Sequence, residues 1–305
     1  MQVGGAFRRM PRKIHQFKSL ISSGIVGIAL CFLPNLSAQN QPSHFLKNEQ
    51  AAADLVREVV RNEINAQLHD TSLWCYLEHH QEDGKPPKTS QVCQSKDGDL
   101  ERLVALNGIE LTPAQRQAED ERVQQVVAHP EQLRAKQKKS GEDGEQQRNL
   151  FRNFPDASLF QCESESGNLV TLRFRPNPAF RPSTRAAMVF HHLEGTLVVD
   201  AAQKRLVEIN GRLTSEVKFA GGLLGHLDKN GTFVVQQREV HAGHWDLVYM
   251  SVHMSGKVLF FKTINVEEKQ SLADYQPLPP GATLQQAADF LTRDFEVHTA
   301  STSGK

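Results

Sequence analysis

Several common catalytic and binding signatures are missing from this chain, and each absence removes a class of function. There is no G-x-G-x-x-G, no G-x-x-x-x-G-K-[ST] and no G-x-S-x-G anywhere in the 305 residues. The dinucleotide fingerprint, the phosphate loop and the nucleophile elbow are therefore absent. No carboxylate pair has a spacing that marks glycoside chemistry, and no cofactor is implied. Cysteine is sparse: four in all, Cys31, Cys75, Cys93 and Cys162. None has the His/Asn company of a catalytic thiol, and their spacings do not describe a zinc site. Positive charge is not in excess, with 35 basic and 35 acidic residues. Beyond the N-terminus no apolar run approaches the ~20 residues of a bilayer span.

The N-terminus is the exception. Arg8, Arg9, Arg12, Lys13 and Lys18 precede "LISSGIVGIALCFL", 14 residues from Leu20 to Leu33, and then "PNLSAQ". Basic, apolar, small is the order of a secretory signal peptide, which places cleavage after Ala38; an uncleaved anchor helix is the alternative. Removing the five basic residues of 1–38 leaves 30 basic against 35 acidic, a net charge near −5. That balance argues against nucleic acid as a partner, because phosphate binding needs clustered Lys and Arg. Export permits disulfides. Cys75 and Cys93 flank the turn "EDGKPPK", so a hairpin would bring them close; whether they face each other depends on register, and unpaired buried thiols are the other outcome.

The remainder, 39–305, reads as one α+β domain. Leu55, Val59, Val60 and Ile64 recur at helical spacing over 48–66. "SLWCYLEHH" and "KTSQVCQS" read as strands, and "LERLVALNGIEL" as another ending at Asn107-Gly108. Thr112-Pro113-Ala114-Gln115 opens a helix with an N-cap, a proline and a capping-box glutamine. This begins a charged helical insert over 112–150, in which "KKSGEDGEQQ" is expected to be a loop or a frayed helix end. From Asp156 the period is two. "MVFHHLEGTLVVD", "KRLVEINGRLTSEVKF", "TFVVQQREV", "WDLVYMSVHM" and "KVLFFKTINV" predict a long antiparallel meander, with a turn at Ser255-Gly256 and a polar segment after Gln270. Residues 293–305 are expected to be a flexible tail. Such a meander twists and curls into a half-open barrel.

Candidate ligand-lining positions follow from the alternation. Val207, Ile209, Leu213, Val217 and Phe219 share one strand face, and Val248, Met250 and Val252 alternate likewise on a neighbour. Between them lies "FAGGLLGHLDKNGTF", residues 219–233, glycine-hinged and apolar, with Leu223 and Leu224 at its centre. Packing on the core is one reading of it; a flap over the mouth of a cavity is the other. Thirteen histidines raise a metal alternative. His241 and His244 sit in a hairpin turn beside Asp246, and two imidazoles and a carboxylate can hold zinc. Turn histidines are more often simply solvated.

The strand-turn-strand "GTLVVDAAQKRLVEINGRL" and the aromatic-rich hairpin "WDLVYMSVHMSGKVLFFKTINV" resemble the LolA-like half-barrels, a periplasmic lipoprotein- and lipid-carrier superfamily, over 156–267 and more loosely over 45–110. The resemblance implies a periplasmic or secreted, non-enzymatic and monomeric binding module. It would hold an acyl chain, a lipid or an acylated lipoprotein segment on a concave apolar sheet face. The charged insert departs from the compact carriers. A metal-assisted hydrolase and an envelope assembly protein with an envelope protein partner are the competing expectations.

Overall fold

The computed structural model describes residues 48–222, 224–258 and 262–292. The expected signal peptide, Leu223 and the expected tail over 293–305 lie outside the described residues. Helix α1 (Glu49–His69) is followed by strands β1 (Leu73–Glu82), β2 (Lys88–Cys93), β3 (Leu100–Leu106) and β4 (Ile109–Glu110). Helices α2 (Pro113–Ala128) and α3 (Glu131–Ala157) come next. The meander then runs through β5 (Ser158–Ser166), β6 (Leu169–Pro176), β7 (Leu193–Asp200) and β8 (Arg205–Leu213). It continues with β9 (Val217–Phe219), β10 (Gly225–Leu227), β11 (Thr232–His241), β12 (His244–Val258) and β13 (Lys262–Leu278), and α4 (Leu284–Leu291) closes it. All thirteen strands belong to one open sheet, ordered β4-β3-β2-β1-β13-β12-β11-β8-β7-β6-β5, with β10 paired to the end of β12 and β9 to β10. The α+β class with a long antiparallel sheet is therefore the observed architecture.

Local chemistry explains the helix ends. Asn48 caps α1 by accepting from the Ala51 amide, and Thr112 and Gln115 form a reciprocal capping box ahead of Pro113. The same box recurs at Thr283 and Gln286 for α4. α1 buries Leu55, Val56, Val59, Val60 and Ile64, one stripe of the helix, against Phe160, Leu172, Phe174, Leu197, Ile209 and Leu213 of β5–β8. Phe154, from the last turns of α3, completes this core. A second core lies against β1–β3, where α2 and α4 cover Cys75, Cys93 and Leu100. Register places the two cores on opposite faces of the sheet. Cys75 opposes Cys93 and Cys93 opposes Leu100, while Glu78, three residues on in β1, opposes Leu272 on the other face.

Several expectations need correction. "KKSGEDGEQQ" is neither a loop nor a helix end: it lies inside α3, which runs for 27 residues, about 40 Å at 1.5 Å per residue. Its first turn is fastened at the β2–β3 turn, where Leu133 abuts Gly98 and Arg134 Nε bonds Asp97 at 2.9 Å. Its last turn lies in the core under β5. Anchored at both ends, the helix carries Gly141 and Gly144 despite their cost of about 1 kcal/mol each. "MVFHH" forms a 3-10 turn (Ala186–His192), and the strand begins at Leu193. β12 passes straight through Ser255-Gly256, and β13 continues past Gln270 to Leu278. Gly256 is needed for close approach rather than for a turn: a Cβ there would lie 2.2 Å from the His226 carbonyl of β10.

Cys75 and Cys93 are bonded to each other across directly opposed positions of β1 and β2. The bridge closes a segment of sequence separation 18, which in the chain-entropy account stabilises by about 3 kcal/mol. Replacing both cysteines by serine is expected to lower the unfolding free energy by about that amount, measured by denaturant titration. Unchanged stability would remove the bridge from the account.

Candidate functional site

The sequence-derived lining residues fall into two places. Ile209, Leu213 and Val217 are buried in the first core, packed among side chains of the helices and of β5–β8. Phe219 packs half-buried on the same core, and Leu224 is half-buried in a turn. Met250 and Val252 sit elsewhere, in a cluster at the middle of the sheet with Leu247 and Leu272. Val207 and Val248 join neither cluster, contrary to expectation. The β7–β8 ladder pairs Val198 with Glu208 and then Val199 with Leu206, so Val207 is the extra residue of a bulge. The β11–β12 ladder pairs Gln236 with Tyr249 and then Gln237 with Leu247, so Val248 is another. Each bulge reverses the alternation beyond it, which brings Leu206 and Leu247 to the buried side.

Residues 219–233 are likewise not a flap. β9 and β10 form a small hairpin that extends the sheet beside the end of β12, with Gly225 opposite Val258 and Leu227 opposite Gly256. Phe219 and Leu227 pack on the first core. Ser255 donates to Asp228 at 2.7 Å and holds the following turn against β12.

The middle of the sheet is where chemistry gathers. Register places Phe233 and Val235 of β11, Met250, Val252 and Met254 of β12, and Val266 and Leu272 of β13 on one face. The same face continues into a buried polar band. On it His80 Nε2 meets Glu268 Oε1 at 2.8 Å, and Gln270 Nε2 donates to Glu78 Oε1 at 2.6 Å. All four are buried, and each takes part in one of these two bonds, while Gln270 Oε1 is buried without a hydrogen-bond partner among the described residues. The helices pack chiefly on β2, β3, β5 and β8, leaving this central strip without a principal helical cover. The ring of Phe233 rests on the bare backbone of Gly211, where a Cβ would lie 2.5 Å from it. Sequence alternation found Met250 and Val252. It missed Phe233, Val235, Val266 and the polar band, although "TFVV" carried the period.

The proposed metal ligands serve another purpose. His244 is held between Asp70 (3.5 Å) and Asp246 (3.4 Å), and its ring stacks on Trp74 at 4.2 Å. His241 instead contacts the Trp74 ring at 5.5 Å. Among the described residues no group of three His, Cys, Asp or Glu side chains is arranged to hold a metal ion. Burial alone would lower the His244 pKa, but the two carboxylates outweigh it and raise it to about 9. Nearby, Glu63 of α1 binds Arg205 at 3.0 Å and accepts from the Leu206 amide at 2.9 Å, and Gln237 bonds to it as well. Burial pushes the Glu63 and Asp246 carboxyls up, against the pull of Arg205 and His244 respectively. This network fastens α1 to β8 and β12; its groups are engaged with one another and form no acid–base pair facing an open site.

Comparison with protein-family models, with curated proteins and with solved structures found no match to this chain. Among the described residues no helix is long and apolar enough to cross a membrane.

The His244 geometry has a pH signature. Its folded pKa lies above the ordinary value of 6.5, so its contribution to stability is complete below pH 6.5 and is lost as pH rises through about 9. The raised Glu63 and Asp246 carboxyls act in the same sense at lower pH. His244→Gln is expected to cost about 3 kcal/mol by leaving two buried carboxylates without their cation. It should also flatten the fall in stability between pH 6.5 and 9. Urea titrations of both proteins across that range check this; parallel pH profiles would contradict it.

Proposed function

We propose that this chain is an exported, non-enzymatic binding module that holds an acyl chain, a lipid or an acylated segment along the central strip of its sheet. The observation that carries this reading is the strip itself. Seven apolar side chains, Phe233, Val235, Met250, Val252, Met254, Val266 and Leu272, line one face of β11–β13; Phe233 and Val235 also pack on the first core, and the helices pack chiefly on β2, β3, β5 and β8. Side chains buried on such a face must be shielded by the sheet, which favours a sheet curled as the LolA-like half-barrels are. Helix α3, fastened near β3 and again under β5, then acts as a strut between the two sides of the curl. Methionine adapts to varied apolar shapes, and Met250 and Met254 lie at the centre of the strip. The His80–Glu268 and Gln270–Glu78 pairs, opposite Met250 and Val252 on the same face, suit the polar end of an amphiphile. Export is supported by the N-terminal basic-apolar-small order and by the Cys75–Cys93 bond, which persists in oxidising compartments.

Each methylene taken from water contributes ~0.8 kcal/mol, so about eight of them supply ~6 kcal/mol before the costs of ordering. The test uses a fluorescent fatty acid and native mass spectrometry of untagged protein. Met254→Lys, a half-buried position on the strip, should weaken probe binding at least tenfold. Ser251→Lys, on the opposite face of the same strand, should leave it unchanged. Leu213→Lys is not informative, because Leu213 is fully buried in the first core. Equal binding by wild type and Met254→Lys, with no lipid retained in native spectra, would refute the reading.

A further inference from the structure

A second place on the molecule combines apolar surface with uncompensated positive charge. A groove of about 320 Å³ runs between α1 and the end of α3, lined by Arg57, Arg61, Arg152, Val60, Ile64 and Leu68, with Pro155 and Asp156 on the α3 side. Its floor is the outer edge of the α1 stripe: Val60 and Ile64 are nearly buried, whereas Leu68, one turn on, is 50% exposed. A leucine left half in water at the mouth of a groove has apolar area still to bury.

The charges divide unevenly. Arg57 bonds Asp54 at 2.7 Å and Asp156 at 3.0 Å, which pins α1 to α3 and leaves that trio with one negative charge. Arg152 reaches only the neutral Asn149, at 2.5 Å, and among the described residues no acidic side chain pairs with Arg61. Among the described residues Arg61 and Arg152 thus form no ion pair, and with the trio's one negative charge the groove carries a net positive charge of one beside an apolar wall. Pro155 adds to the opening, because it has no N–H to continue the helix ladder to Phe151. Guanidinium pairs best with a planar two-oxygen anion, by parallel N–H···O bonds.

We propose that this groove is a binding site for the carboxylate of a single-chain fatty acid, with Arg61 and Arg152 holding the head group and Val60, Ile64 and Leu68 receiving the first carbons of the chain. Its volume lies at the small end of ligand sites, which suits a head and a short segment rather than a whole lipid. The ligand class rests on the acyl-binding reading above, but the site is separate from the sheet strip and can fail or stand independently.

The test is binding of dodecanoate below its micelle concentration to the whole mature chain, by calorimetry and native mass spectrometry, with dodecanol and inorganic phosphate as comparison probes. Two dodecanoates should bind the wild type. The Arg61→Gln/Arg152→Gln protein should lose one of them, with at least tenfold weaker affinity at that site. Only that site should weaken as salt is raised from 50 to 500 mM, on the order expected from screening. Dodecanol and phosphate should each bind the groove at least tenfold more weakly than dodecanoate. Met254→Lys should lose the other equivalent and keep the salt-sensitive one. Unchanged stoichiometry and salt response in the double arginine variant would overturn the groove, whatever Met254→Lys does. So would phosphate binding it as tightly as dodecanoate. Loss in the arginine variant with none in Met254→Lys would keep the groove and remove the strip.

Discussion

The pairing of β1 with β13 is the constraint on which the rest of the structure depends. Nine registered positions, from Leu73 opposite Leu278 to Glu82 opposite Glu268, join strands nearly two hundred residues apart. That single ladder makes one sheet of the N-terminal strands and the later meander. It also sets the place of α1, because only Asp70 to Ser72 separate the helix from β1. With β1 fixed beside β13, the end of α1 must lie near β12, where Asp70 meets His244. Glu63 then reaches Arg205, and the apolar stripe of the helix falls on β5–β8. Loop closure over so long a segment is slow, so this ladder should be among the last parts of the fold to form.

The same constraint separates core from candidate site. α1 satisfies the β5–β8 half of its face and α2 and α4 satisfy the opposite face at β1–β3, while β11–β13 receive no comparable helix. The buried pairs His80–Glu268 and Gln270–Glu78 show how polar side chains are made tolerable beside the strip: each pair is bonded across the β1–β13 ladder itself.

Much of this was legible in the sequence. The capped helix starts, the meander and the closeness of Cys75 to Cys93 all follow from local chemistry, which depends on neighbours a few residues away. What could not be read was anything decided by a distant partner. The bulges at Val207 and Val248 each add one residue to one strand, and nothing in "KRLVEIN" or "WDLVYM" announces a pairing partner that is one residue short. Gly256 has the composition of a turn, yet it sits inside β12 because the β10 backbone passes against it. Gly141 and Gly144 read as a loop, yet α3 is carried through them by contacts at its two ends. His241, His244 and Asp246 are close in sequence, but the carboxylate that fixes the role of His244 is Asp70, on the far side of the chain.

The account stands or falls on whether the central strip meets a ligand. Beyond residue 38 the chain has three methionines, Met188, Met250 and Met254, and their methyl groups are separable probes. In protein labelled with ¹³C at the methionine methyls, dodecanoate should shift the Met250 and Met254 signals and give intermolecular contacts from its methylenes to both. Met188, in the 3-10 turn before β7, should stay unmoved. Shifts confined to Met188, or none at all at saturating dodecanoate, would contradict the claim that the strip is a binding surface.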